Sequence, residues 1–342
     1  MNSIKYSVLI PCYQTDPSLL SRCLKSILAS PRSDIEIVLV EALNNGKSSF
    51  QSLQLSDSRV HYFISDKASA PYQRNITLEK ATGDYIVFVD SDDYVSPRFF
   101  EFCDSALKDF SLSDFIIFNH TSNEVFYSGS YSASDFVCSS NHDQIETWFS
   151  CFKKTGPEFQ GRSLWGKIFK HSIILENHLS FDLSLPSNQD HFFVMRYLFY
   201  CHQVAVAESY QLYHFDISPF SMSPKPSTNS PERYSLILQA WSNLFAEHAP
   251  SQIRIFDWAY SVAGFYIPRM VCYYFCSPSQ SLSKKDLKKK FKQTLSSPEF
   301  RKPISACRYS LCLNRKKKLQ LFLLKAHLYS VYFDTFWRIY RK

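Results

Sequence analysis

The sequence predicts an α/β fold, a mostly parallel sheet flanked by helices, with a helical C-terminal extension. Three observations carry that prediction. Over the first 120 residues, short β-branched and aromatic runs alternate with stretches of helical periodicity. One of these runs, Tyr85-Ile-Val-Phe-Val, leads straight into three carboxylates within four positions, Asp90-Ser91-Asp92-Asp93. After residue 230 the pattern turns helical and the charge becomes strongly basic.

Residues 6–10 read as a strand closed by Pro11. Asp16-Pro17 then offers an N-cap and a proline at the first helical position. Leu19, Leu20, Cys23, Leu24, Ile27 and Leu28 recur at helical spacing before Pro31. Residues 35–40 and 60–64 read as the second and third strands, and a helix over 71–81 ends toward Gly83. The acid-tipped strand follows, then a helix from 97 to 108 and a strand over 114–119. Uncompensated carboxylates cannot enter an apolar core. The acids therefore lie at the sheet's C-terminal edge, where open α/β sheets bind ligands. Oxygen ligands there suit a hard divalent cation carrying phosphates. The alternative is an Asx-rich turn that only stops the strand, and Asp93 is also placed to cap the helix after Pro97.

The middle of the chain is less regular. Residues 121–140 read as loop with a short hairpin, and 143–152 as helix. Trp165-Gly166-Lys167 precedes a short helix over 172–176. Asp190 opens an apolar helix over 191–200 and is a good N-cap for it. Strands follow at 204–207 and 211–215, then a proline-bearing loop over 218–231 that fits a lid. Helices cover 231–246, 252–275, 284–295 (capped by Ser283) and 316–340.

Composition closes several classes. At 342 residues and 45% hydrophobic content the chain can bury a sizeable core. Its seven glycines form neither G-x-G-x-x-G nor G-x-x-x-x-G-K, so a phosphate must be held by a metal and side chains. Ten cysteines without a C-x-x-C read as reduced, mostly buried thiols of a cytosolic protein. The pairs Cys272/Cys276 and Cys307/Cys312 are weak zinc signals. The N-terminus lacks the charged and apolar regions of a signal peptide.

The formal charge of +7 hides an asymmetry, since residues 281–342 hold 17 Lys and Arg against Asp286, Glu299 and Asp334. Such a tail suits an anionic surface. Lys325 and Asp334 make a membrane-spanning helix costly. The basic run 315–318 before an aromatic helix fits one lying in the membrane interface, at the inner face of the cytoplasmic membrane. The alternative is a helix packed on the protein with its basic ends in water. No nucleic-acid partner is expected, because no base-reading motif accompanies the lysines.

Several segments stand in a familiar order: Ser7-Val-Leu-Ile-Pro11-Cys-Tyr13, the helix over 19–28, Glu36-Ile-Val-Leu-Val-Glu41, Gln73-Arg74-Asn75, and Ala81-Thr-Gly83 through Asp93. Together they resemble the donor-binding half of family 2 glycosyltransferases with the GT-A fold, of the bacterial surface-polysaccharide type. A lone Asp-x-Asp is common by chance, whereas this ordered series is not. The resemblance implies a nucleotide-sugar site. Pro11, Tyr13 and Glu41 meet the nucleoside, Arg74 and Asn75 line the donor cleft, and Asp90 and Ser91 lie at the ribose. Asp92, with Asp90, holds the Mg²⁺ or Mn²⁺ that bridges the diphosphate. Asp190 matches the general base that takes the acceptor hydroxyl's proton. Trp165, Lys167 and His214 match acceptor-side or diphosphate positions. Core packing is the alternative for Trp165, a solvated charge for Lys167 and a structural role for His214. Ala42, Gln189 and His214 depart from the family pattern.

The resemblance implies a GT-A domain over 1–230 and a helical extension over 231–342. The implied activity is inverting, metal-dependent, hexosyltransferase-like transfer from a UDP-sugar to a glycan or lipid-linked acceptor. A non-catalytic nucleotide-sugar binder or membrane scaffold, and a metal-dependent nucleotidyltransferase, share parts of the pattern. The latter wants a Gly/Arg-rich triphosphate loop near the N-terminus, which is missing.

Overall fold

The computed structural model describes residues 5–53, 55–123, 125–140, 163–216, 230–248, 259, 262–312 and 314–340. The helix expected over 143–152, the loop over 218–229 and, apart from residue 259, positions 252–261 of the next helix lie outside the described residues. The chain packs as two units. The first holds the sheet and its helices; the second holds residues 184–188 and those described from 230 onward.

Nine strands among the described residues form one sheet. They are β1 (Tyr6–Tyr13), β2 (Ile35–Ala42), β3 (Val60–Ser65), β4 (Tyr85–Phe88), β5 (Tyr94–Val95), β6 (Phe115–Thr121), β7 (Val137–Ser140), β8 (Lys167–Lys170) and β9 (Gln203–His214). The order is β3-β2-β1-β4-β8-β6-β9-β5, with β7 beside β9. β3, β2, β1 and β4 run parallel. β8 is inserted antiparallel between β4 and β6, and β6 pairs parallel with β9. The helices of this unit are α1 (Pro17–Leu28), α2 (Ala70–Lys80), α3 (Phe99–Asp109), α4 (His171–Glu176) and α5 (Gln189–Tyr200).

The local chemistry explains the elements. β1 and β2 are buried almost end to end, as parallel strands covered on both faces must be. α1 is capped as the sequence predicts: the Asp16 carboxylate accepts from Ser18 N at 2.8 Å, and Leu20, Cys23, Leu24 and Ile27 face the core. β1 does not stop at Pro11. Its ladder with β4 ends at Leu9, so Pro11 sits where only β2 is paired, and the missing N–H is tolerated. Gly83 serves close approach rather than helix termination. A Cβ there would lie 2.7 Å from Ser7 N and 2.8 Å from Ser7 Oγ.

Two expectations about strands change. β8 was not foreseen, since Lys-Ile-Phe-Lys is too short to show a period. The two strands expected at 204–207 and 211–215 are one strand, β9, whose ladder with β6 shifts register around Asn119. The Asn119 amide donates to Glu208 O at 2.7 Å and holds that irregularity.

The second unit is helical: α6 (Pro231–His248), α7 (Ile267–Met270) between π-turns Val262–Tyr266 and Val271–Phe275, α8 (Lys284–Ser296), α9 (Pro298–Ala306), α10 (Arg315–Lys325) and α11 (Tyr329–Tyr340). Ser283 caps α8 by accepting from Asp286 N. The single helix expected over 316–340 is broken. His327 adopts φ 57°, while Leu328 N donates to Leu323 O at 2.8 Å and His327 N to Leu324 O at 3.2 Å. That pair of bonds is a Schellman stop, here with histidine in the left-handed position that glycine usually takes. The aromatic face of α11 is interior to the unit: Tyr332, Phe333 and Phe336 are buried, with Tyr332 stacked near Phe291. Asp334 pairs with Lys284 and Lys288.

Candidate active site at the end of β4

β4 ends where its pairing with β1 ends, and the chain turns at once. Asp93 N donates to Asp90 O at 3.0 Å, the i to i+3 bond of a β-turn. Three carboxylates are thereby gathered at the C-terminal edge of the sheet, in three different environments.

Asp93 is buried, taking Tyr213 OH at 2.6 Å and Asp216 N at 2.8 Å. It does not cap α3, whose N-cap position is Arg98 with no side-chain cap bond. Burial first, and the Asp90 charge second, push its carboxyl well above the usual range. The same Tyr213 hydroxyl accepts from Asp90 N at 3.1 Å, so one side chain ties both ends of the turn.

Asp92 is half-buried, and no side chain among the described residues donates to its carboxylate. Burial and then Asp90 raise its pKa. Arg22 of α1 places a cation beside it, donating to Asp92 O at 2.8 Å and to Asp216 Oδ2 at 2.6 Å.

Asp90 is held by Arg74, whose Nη2 donates to its Oδ1 at 2.9 Å. Arg74 Nη1 donates to Asp190 Oδ1 at 2.6 Å. One guanidinium, 9% exposed, therefore joins the turn after β4 to the start of α5. Burial works against the charge of Arg74, but Asp190 and Asp90 outweigh it and its pKa rises. The neighbours of Arg74 fix it in place. Gln73 donates to Cys12 O at 2.6 Å and Val40 O at 3.3 Å. Asn75 pairs with the backbone of Phe181 in both directions, at 3.0 and 2.7 Å. Three successive residues of α2 thus grip the ends of β1 and β2, the acidic turn, and the segment ahead of α5.

Asp190 lies in the first turn of α5, which begins at Gln189, and so is not the cap. Protein surrounds it on most sides, yet 39% of its side-chain surface meets solvent. Burial raises its pKa while Arg74 pulls the other way, and the helix N-terminus favours the ionised form. Lys167 is fully buried, not a solvated charge. Its Nζ donates to Ser163 Oγ and Trp165 O, and burial pushes it down to about 7 against the pull of Asp190. Trp165 stacks on Tyr213 at 5.2 Å and on Phe215 at 5.7 Å, with His120 against it at 4.6 Å.

Other candidates are engaged in holding the site together. Glu41 is 1% exposed and accepts from Ser49 N at 2.6 Å, Ser48 Oγ at 2.5 Å and Tyr62 OH at 2.9 Å. Both its oxygens organise the loop after β2. Ser91 shares a 2.6 Å hydrogen bond with Thr15, whose carbonyl accepts from Ser49 Oγ at 2.6 Å. A polar chain so links the loops after β2, β1 and β4. Pro11 is buried and Tyr13 half-buried at the end of β1. His214 is buried and stacked on Tyr94 at 4.2 Å, with Arg22 over the same Tyr94 ring at 4.5 Å. Arg22, Thr15, Ser48, Ser49, Tyr62, Tyr213 and Asp216 had no signature in the sequence, because each acts only through a partner far along the chain.

The donor set suits a hard cation. Asp90 and Asp92 are crowded carboxylates whose mutual repulsion a positive charge would relieve. Among the described residues no three His, Cys, Asp or Glu form a cage. Mg²⁺ needs none, since it is typically held by one or two carboxylates plus substrate phosphates and water.

The model of Glycosyl transferase family 2 matches residues 7–177, half of the chain. The chain belongs to that family. EpsH of Bacillus subtilis (strain 168) is 26% identical over 228 residues, which is 64% of this chain and 62% of EpsH. The poly(ribitol-phosphate) beta-glucosyltransferase of Bacillus spizizenii is 26% identical over 226 residues, 62% of this chain and 32% of that protein. This family 2 chain therefore spans less than two thirds of either relative. Among solved structures, S. aureus TarS 1-349 in complex with UDP-GlcNAc superposes with a TM-score of 0.64 at 17% identity, covering 98% of this chain and 91% of that one. The fold is GT-A, with a mixed, mostly parallel sheet and a helical C-terminal region. The family match includes Arg74 and the acidic turn; Asp190 lies beyond it.

Proposed function

We propose that this protein transfers one sugar from a UDP-sugar to a hydroxyl of a glycan or lipid-linked acceptor in surface polysaccharide synthesis, inverting the anomeric centre. One observation carries the reading: Arg74 brings Asp190 and Asp90 to a single guanidinium. The candidate base and a candidate donor acid thus meet at one side chain. The family match and the UDP-GlcNAc complex of the structural neighbour support the donor class.

In this reading Asp190 accepts the acceptor hydroxyl's proton as that oxygen attacks the anomeric carbon. The bond to the diphosphate breaks on the opposite face, and the electron pair leaves with the diphosphate. Mg²⁺ or Mn²⁺, when bound by Asp92 with Asp90, supplies Lewis-acid stabilisation of that leaving charge. Arg74 favours the ionised form of Asp190 and holds it in place, while Asp93, Tyr213 and Asp216 tie the turn down. Pro11, Tyr13 and the Thr15–Ser91 link edge the side assigned to the nucleoside. The helical region 231–342 is read as a separate extension that works at the cytoplasmic membrane face. Among the described residues no helix is long and apolar enough to cross a membrane.

Thermal-shift titration with UDP-, GDP- and CMP-sugars, with and without Mn²⁺, tests the donor site. UDP-sugars should raise the melting temperature most, and more so with Mn²⁺. If no nucleotide sugar shifts it, the donor assignment is wrong. Asp190→Asn should keep that shift and lose transfer.

A further inference from the structure

The exposed face of α10 and the bend after it form a surface that water alone does not suit. Arg315, Lys318, Leu319 and Phe322 stand at i, i+3, i+4 and i+7, so they share one face of the helix. Leu319 is 59% and Phe322 50% exposed. Leu328, 43% exposed, occupies the position after the bend that such stops bring near the turn containing Phe322. Val331, 50% exposed, follows at the start of α11. Large apolar side chains thus run across the bend beside the exposed Arg315, Lys316 and Lys318.

The charge is placed against the helix dipole. The first turn of α10 holds four basic residues, 315–318, and no acid, at the end where the macrodipole favours anions. Lys317 is turned inward, donating to Gly264 O at 2.9 Å; the other three face out. Anions at the basic end and an apolar medium beside it would satisfy both halves. An anionic bilayer interface offers that combination. Nucleic acid would leave Leu319 and Phe322 in water, and a second copy of this chain would set like charge against like.

We propose that the outer face of α10 and the bend at 326–328 rest on an anionic lipid surface. Leu319, Phe322, Leu328 and Val331 enter the headgroup region, and Arg315, Lys316 and Lys318 meet lipid phosphates. The contact is thus not made by the aromatic face of α11, which forms the interior of its own unit. This deepens the proposed function by naming the surface that brings the protein to the membrane carrying a lipid-linked acceptor, but lipid binding itself needs neither donor nor acceptor.

Co-sedimentation with phosphatidylcholine vesicles, with and without phosphatidylglycerol, tests it on the full chain. The protein should pellet only with phosphatidylglycerol vesicles, and less as salt rises. Arg315→Glu with Lys318→Glu should weaken partitioning about thirtyfold or more, and Phe322→Asp should weaken it comparably. Lys285→Glu with Lys289→Glu, an equal charge change on exposed positions of α8, should leave most binding intact. Unchanged melting temperature and far-ultraviolet circular dichroism show that each variant is folded. The proposal is overturned if the wild type ignores anionic vesicles, or if the α8 pair matters as much as the α10 pair. It is equally overturned if Phe322→Asp instead converts a dimer to a monomer. Since no sugar is present, a failed donor site would leave these readings unchanged.

Discussion

Arg74 and Asp190, 116 residues apart in sequence, share a charge-assisted hydrogen bond of 2.6 Å. Arg74 spends its other terminal nitrogen on Asp90. The proton affinity of Asp190 is therefore set by a group that also touches the acidic turn. Burial raises that affinity and Arg74 lowers it.

Removing the cation should move the base's titration upward. For Arg74→Gln the acidic limb of the pH–rate profile should shift by about one unit or more toward alkaline pH, since an adjacent Arg typically lowers a carboxyl by one to three units. Arg74→Lys should shift it less. The stability loss should stay below the roughly 3–5 kcal/mol of breaking a fully buried pair, because Asp90 and Asp190 keep 33% and 39% of their side chains exposed. An unmoved limb would show that Arg74 does not tune Asp190.

Asp190→Asn keeps the size of the side chain and loses the base. Turnover should fall about 10²–10⁴-fold, the usual worth of a positioned general base. Donor affinity should change little, measured by calorimetry with a UDP-sugar. A variant that still turns over near the wild-type rate would place the base elsewhere.

Glu41 tests structure against recognition. Glu41→Gln puts an amide among groups that donate to both carboxylate oxygens. It should cost about 1–3 kcal/mol, the price of an unsatisfied buried group, seen as a lower melting temperature. If stability holds and only nucleotide affinity drops, Glu41 serves the nucleoside directly.

Lys167 should shape stability at alkaline pH. Its folded pKa is about 7 against an ordinary 10.5, because it is buried. Between those values the unfolded chain binds a proton that the folded chain does not, so stability rises with pH across that window. Lys167→Met should flatten the rise and increase stability near neutral pH by an amount on the order of a few kcal/mol, seen as a higher melting temperature. An unchanged slope from pH 7 to 10 would contradict the burial account.

Gly83→Ala would force a methyl group to within 2.7 Å of Ser7 N and 2.8 Å of Ser7 Oγ. Ser7 Oγ donates to the buried Glu36 at 2.5 Å and accepts from Gly83 N at 2.8 Å, so that network must shift. Overpacking of this kind costs about 1–3 kcal/mol, and chemical denaturation would measure it.

By itself the sequence determined the parts whose cause is local. Side-chain periodicity marked α1, β2 and β3, Asp16-Pro17 placed a helix start, and Ser283 placed another. A covered strand running into carboxylates marked the candidate site, because carboxylates without compensating partners avoid an apolar core and such acids gather at a strand's end. The tertiary structure alone decided what those acids touch. Asp93 turned from a cap into a partner of Tyr213 and Asp216, Glu41 became an internal anchor, and α2 joined Asp190 to Asp90. It also decided that β8 fills the gap between β4 and β6, and that the last helix breaks at His327. The physical reason is the same in each case. A hydrogen bond or ladder between residues tens of positions apart depends on where the packed core delivers them, and no local pattern of side chains encodes that delivery.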